Sequence, residues 1–105
     1  HAFTVVSGHL APDDPRSLVD WEALARVGGT IVVIMGVRQA PAIAETLQRV
    51  LPATTPAAVI QDGETARQRE FRTTLGALAE TMARENVTNP AVYVIGEVAG
   101  LAHAG

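Results

Sequence analysis

Four short apolar runs, each followed by a glycine, constrain this chain more than any other feature. They are Phe3 to Val6 before Gly8, Ile31 to Met35 before Gly36, Ala57 to Ile60 before Gly63, and Ala91 to Ile95 before Gly96. Aromatic residues make up only 4% of the 105 residues, so the core must be built from Val, Ile, Leu and Ala. That composition suits parallel strands covered by helices. Glycine at the carboxyl end of a strand lets the backbone come close to a ligand, and in open α/β sheets ligands gather outside those ends. One such glycine reads simply as a turn, whereas four in succession point to strand tips that form one wall of a site.

Helical patterns fill the gaps between the runs. Leu10 to Arg16, with two prolines and Asp13-Asp14, reads as a loop, and Ser17 as the N-cap of a short helix through Arg26. Leu18, Trp21, Leu24 and Ala25 fall on one face of that helix, and Gly28-Gly29 ends it. Pro41 suits a first helical turn; Ile43, Leu47, Val50 and Leu51 then recur at helical spacing up to Pro52. Asp62-Gly63 is a turn signal after the third strand. In Gln68 to Thr73 a short edge strand competes with the start of a helix, and the alternation favours the strand. Leu75, Leu78, Ala79 and Met82 mark a last helix to about Glu85. The expected architecture is a single α/β domain with a mixed, mostly parallel five-stranded sheet flanked by helices.

Composition narrows the functional classes. An apolar content of 48% fills one core, and a formal charge of −3 offers no basic footprint for nucleic acid. The chain has no cysteine, so it has neither disulfides nor a thiolate metal site. No apolar stretch reaches membrane-spanning length and no signal peptide is visible, which makes a cytoplasmic location the expectation. The opening His1-Ala2 runs almost directly into a strand, as in a piece of a longer protein.

Local chemistry is sparse. Ser7, His9 and Asp13 or Asp14 lie close in sequence, which is no evidence of triad geometry. His1, His9 and His103 share no ligand spacing, so no metal site and no catalytic side chain is assigned. The dinucleotide fingerprint, the phosphate loop and the zinc-protease motif are all absent. Met35-Gly36 is the most informative spot: a polarizable Met at a strand tip either fills a gap in the core or lines an apolar pocket for an aromatic base.

The order of the motifs carries more than any one of them. Phe3 to His9, Asp20-Trp21, Thr30 to Val37 with Met35-Gly36, Pro56 to Gly63, Gln68-Arg69 and Val94 to Val98 follow one another along nearly the whole chain. In that sequence and spacing the chain closely resembles the C-terminal half of uroporphyrinogen-III C-methyltransferases, within the tetrapyrrole methylase family. The resemblance implies methyl transfer from S-adenosyl-L-methionine, leaving S-adenosyl-L-homocysteine, to two pyrrole carbons of uroporphyrinogen III. The product is precorrin-2, for sirohaem and cobalamin synthesis. It also implies a two-domain homodimer with its active site in the cleft between the domains, residues 1–105 supplying the C-terminal domain and the N-terminal domain absent.

By matching position, the resemblance puts Met35 against the adenosine of the cofactor, Ala58 beside the adenine with its backbone in reach, and Gly63 where the chain passes the same ligand. Arg16 and Arg38 are the candidates for the substrate's carboxylates. Glu64 stands where the family usually has Thr, and Thr73 where glycine is common. The glycine-rich cofactor loop of the N-terminal half has no match, so the fragment by itself is expected to be inactive. Two other readings remain: a non-catalytic ligand-binding or dimerisation module, and a methyltransferase acting on a later corrin precursor.

Overall fold

The computed structural model describes residues 3–61, 68–88 and 90–96. Five strands form one sheet: β1 (Phe3–Ser7), β2 (Thr30–Ile34), β3 (Pro56–Gln61), β4 (Arg69–Thr74) and β5 (Ala91–Ile95). Three helices separate them: α1 (Trp21–Val27), α2 (Ala40–Leu47) and α3 (Leu78–Arg84), the last preceded by a 3₁₀ turn at Leu75–Ala77. Each apolar run is a strand, and the ambiguous stretch after Gln68 is the edge strand β4. Thr73 fits that strand without a break, paired with Ala57 and with its Oγ1 2.9 Å from Thr81 Oγ1.

Helix α1 starts later than Ser17. Asp20 is its N-cap, with Oδ1 accepting a hydrogen bond from the Ala23 N–H at 3.0 Å, and Ser17 Oγ instead accepts one from the Val19 N–H at 3.3 Å within the preceding loop. A carboxylate directly before Trp21, the first buried side chain, holds the first-turn donors more strongly than a hydroxyl four residues upstream of it. In α2, Pro41 sits in the first turn as expected.

The sheet order is β1-β2-β5-β3-β4, and here the expectation of a mostly parallel sheet fails. Only β1 and β2 run parallel; β2–β5, β5–β3 and β3–β4 are antiparallel. The cause is the last crossover. Strands β1, β2 and β3 run one way; β4 turns back beside β3, α3 carries the chain to the far edge, and β5 descends into the gap between β2 and β3. Backbone donors and acceptors of β2 and β3 facing that gap are thereby satisfied.

Strand direction also sorts the glycines. Gly8 and Gly36 lie at the edge where β1, β2 and β3 end. Gly96 lies at the opposite edge, its N–H donating to Pro56 O at 2.9 Å at the start of β3. Gly63 lies outside the described residues. One wall therefore takes the tips of three strands, not four.

All three helices cover one face of the sheet. Ile31 and Val33, Ala57 and Val59, and Tyr93 and Ile95 point into that layer and pack with Trp21, Ile43, Leu47, Leu78 and Met82. Alternation puts Phe3, Val5, Val32, Ile34, Ala58, Ile60, Val92 and Val94 on the other face, which no described helix covers. Helices on both faces, implied by strands buried on both sides, are not what forms. Phe3 and Val5 are each 61% exposed.

Candidate functional site

The edge shared by the tips of β1, β2 and β3 is where backbone, strain and apolar surface meet. Gly8 extends the β1–β2 ladder through its N–H to Ile34 O at 2.8 Å. A Cβ at Gly8 would stand 2.7 Å from Val33 Cγ1 and 2.9 Å from Gly36 Cα, so only glycine lets these two tips touch backbone to backbone. At Gly36 a Cβ would meet Tyr93 Oη and Val33 Cγ1, both at 2.6 Å.

Tyr93 explains how the turn is held. It is the sole tyrosine of the chain and fully buried, and its hydroxyl donates to Gly36 O at 3.0 Å. Burial pushes the phenol pKa upward, so it stays a neutral donor at any working pH. Sequence reading passed over Tyr93, although a lone phenol in an otherwise aliphatic buried strand must find a partner.

Between β2 and that anchored glycine, Met35 takes φ 56°, the left-handed region that a side chain of its kind rarely enters. Such a residue costs about 1–3 kcal/mol and persists only where its surroundings force it, which is why these outliers collect at ligand sites. Met35 is 61% exposed, so it does not fill a gap in the core. It borders an open concavity of about 770 Å³ lined also by Ile34, Ile60, Gln68, Ala91 and Val92. This is an apolar surface beside a free thioether and a close-approach backbone, suited to a flat aromatic group.

The other expected residues divide. Ala58 lies mid-strand in β3, opposite Val94 on one side and Arg72 on the other. An internal antiparallel strand commits its N–H and C=O groups to its neighbours, so the expected backbone contact with adenine is not available at Ala58. Gly63 falls outside the described residues. Arg16 is held by Asp14, Nε to Oδ1 at 3.0 Å and Nη2 to Oδ2 at 2.8 Å, which neutralises it and pulls the Asp14 carboxyl down to about 2. Arg38 is exposed, at the turn between β2 and α2, and pairs with no acid among the described residues. Of the two arginines it is the one whose charge is free for an anion.

Arg69, noted in sequence only as part of Gln68-Arg69, works as a clamp. Its guanidinium donates to Gln61 Oε1 at 3.1 Å and to Glu85 O at 2.9 Å, and lies 4.8 Å from the Phe71 ring centroid. Gln61 in turn donates to Thr88 O at 3.1 Å. The β3 and β4 tips are thereby tied to the end of α3, fixing the side of the concavity away from β1.

Fold and site together define an α/β domain with an apolar concavity at its strand tips. The chain belongs to the tetrapyrrole (corrin/porphyrin) methylase family, whose model matches residues 1–79. Among curated relatives it is 41% identical over 99 residues to the S-adenosyl-L-methionine-dependent uroporphyrinogen III methyltransferase of Methanosarcina barkeri, covering 93% of this chain and 39% of that protein. It is 40% identical over 101 residues to the siroheme synthase of Pseudoalteromonas translucida, covering 95% of this chain and 21% of that one. Among solved structures, uroporphyrin-III C-methyl transferase from Thermus thermophilus complexed with S-adenyl homocysteine superposes with a TM-score of 0.74 at 31% identity, covering 96% of this chain and 44% of that one. The chain thus spans about a fifth to two fifths of the curated relatives it matches.

Proposed function

We propose that this chain is the C-terminal domain of a two-domain, S-adenosyl-L-methionine-dependent uroporphyrinogen-III C-methyltransferase that makes precorrin-2. The observation that carries the reading is Met35, strained and exposed at a glycine-built tip beside an apolar concavity, in a chain whose relative in the solved structures binds S-adenyl homocysteine. The tip fits that group on its own geometry: an exposed thioether at Met35 and an apolar floor for the adenosine, on a turn that Gly36 lets pack directly on Tyr93 and Val33.

When bound, S-adenosyl-L-methionine supplies a sulfonium methyl that is already electrophilic. The task left to the protein is alignment, which converts an encounter of two molecules into a step within one complex. Met35 packs against one ligand, the Tyr93–Gly36 bond keeps the turn from yielding, and Arg38 meets a carboxylate of the tetrapyrrole. No side chain of this domain needs to form a covalent bond to the substrate.

The homodimer expected of such an enzyme finds support in the sheet face that no described helix covers, where Phe3 and Val5 are exposed. A cytoplasmic location belongs to the same reading. Whether the product feeds sirohaem or cobalamin depends on the rest of the protein and on the enzymes that take precorrin-2 onward.

Calorimetry of the full-length protein with S-adenosyl-L-homocysteine tests the proposal. Binding is expected, and Met35→Ala is expected to weaken it by about tenfold through lost packing on the adenosine. Absence of any binding heat in the intact protein would overturn the methyltransferase reading. A non-catalytic module then becomes the better description.

A further inference from the structure

An open groove of about 510 Å³ lies on the helix layer, between the loop that precedes α1 and one face of α2, and shares no lining residue with the concavity beside Met35. Trp21, the one tryptophan of the chain, lines this groove at 2% exposure, and its indole N–H has no hydrogen-bond acceptor. A buried indole N–H ordinarily finds a partner, so this one is an unmet demand for an acceptor. The charge of the groove is equally one-sided. Asp13, Asp20, Glu22 and Glu45 line it against a single cation, Arg49, an excess that equals the formal charge of −3 of the whole chain. Glu22 pairs with Arg26 and Arg49, and Asp20 caps α1. Asp13 and Glu45 pair with no cation among the described residues, and no three acids there are grouped to hold a metal ion. Leu18, also lining the groove, is 99% exposed.

We propose that this groove docks an arginine-bearing segment of a partner polypeptide. The guanidinium groups meet Asp13 and Glu45, a main-chain carbonyl accepts from Trp21 Nε1, and an arginine stem lies along Leu18. Depth favours a peptide over a free cation: a donor sealed from water is reached only by a group pressed against the ring, and a cation has no acceptor to offer it. The wall that must yield is a weak one, since the hydrogen bonds of residues 11–19 among the described residues stay within that loop. Charge also selects the partner, because a second copy of this chain carries the same negative sign. The inference does not depend on methyl transfer.

The test is a titration of the full-length protein, labelled with nitrogen-15 at tryptophan, with the blocked dipeptide N-acetyl-arginyl-arginine amide. The Trp21 indole signal is assigned by its disappearance in Trp21→Phe. A saturable downfield shift of that N–H proton is expected, as for a donor that gains an acceptor, with an affinity that falls as salt is added. The double variant Asp13→Asn, Glu45→Gln keeps both side-chain shapes and is expected to bind the dipeptide about tenfold more weakly, the scale of two exposed charge contacts. Two controls separate the parts: the citrulline counterpart keeps the carbonyls without the charge, and agmatine keeps the charge without a carbonyl. An indole signal that does not move overturns the proposal. So does equal affinity for the citrulline peptide, because charge is then not read, or for agmatine, because the groove is then a free-cation site. Self-association that is lost in the double variant, followed by sedimentation velocity, would give the groove to a second copy and also overturn it.

Discussion

Tyr93 and Met35 divide the work at the strand tips: one supplies rigidity from the core, the other spends it on an exposed, strained side chain. Tyr93→Phe removes the donor to a buried carbonyl at Gly36, and about 1–3 kcal/mol of stability is expected to go with it, read by chemical denaturation. On the proposed function, the same change should weaken S-adenosyl-L-homocysteine binding by the full-length protein, because the Met35 turn loses its anchor. At Asp14 the expectation concerns pH. Its side-chain and backbone hydrogen bonds with Arg16 lower the carboxyl from 3.8 to about 2. A folded-state pKa below the usual value means that the pairing's contribution is fully present above pH 3.8 and is lost as pH falls through about 2. A carboxyl titration followed by NMR should therefore place the Asp14 midpoint near 2, and Arg16→Ala should move it up toward 3.8.

Short elements dominate this fold: α1 and α3 have seven residues each and α2 eight. Helices of that length are not stable alone and form because one face packs on the sheet. Caps then matter more than propensity. Asp20→Ala should cost about 1 kcal/mol by freeing the Ala23 N–H, and Asp20→Asn only part of that, in thermal melts of the two variants. Ser17→Ala, by contrast, should be nearly silent, since its hydroxyl makes only a long local bond to the Val19 N–H. The pair of outcomes separates the cap that the sequence suggested from the one that forms. Among strands, β4 is the edge that needs help, and Arg69 provides it by joining Gln61, Phe71 and Glu85.

The described residues form two layers, with helices on one side of the sheet and, on the other, an apolar face that no described helix covers. A contiguous exposed apolar patch is the kind of surface that interfaces use. Val5 is 61% exposed in the edge strand and faces that side, so if the proposed homodimer uses this face, Val5→Glu should shift the protein toward monomer in sedimentation velocity and leave its circular dichroism unchanged. Unchanged association would count against this face as the contact of the proposed homodimer. The strand directions set the other large-scale property, that the tips of β1, β2 and β3 share one edge while β5 contributes its amino end there.

Much of this was legible in the residues. Five strands, three helices, the edge strand after Gln68 and the Met35-Gly36 tip follow from runs, periodicity and punctuation, which are local and leave local traces. Three things left no such trace. Strand order was hidden because α3 fixes where β5 inserts, and a crossover's destination depends on which gap still has unpaired backbone. Tyr93 as the anchor of Gly36 was hidden because the partners are far apart in the chain and meet only across two strands. The division between Arg16 and Arg38 was hidden because a charge is free or spent according to its neighbours in space. The sequence by itself determined the elements and the residue types at their ends. Only the tertiary structure decided which ends share an edge, because burial and backbone pairing are satisfied by the assembled sheet and not by any segment of it.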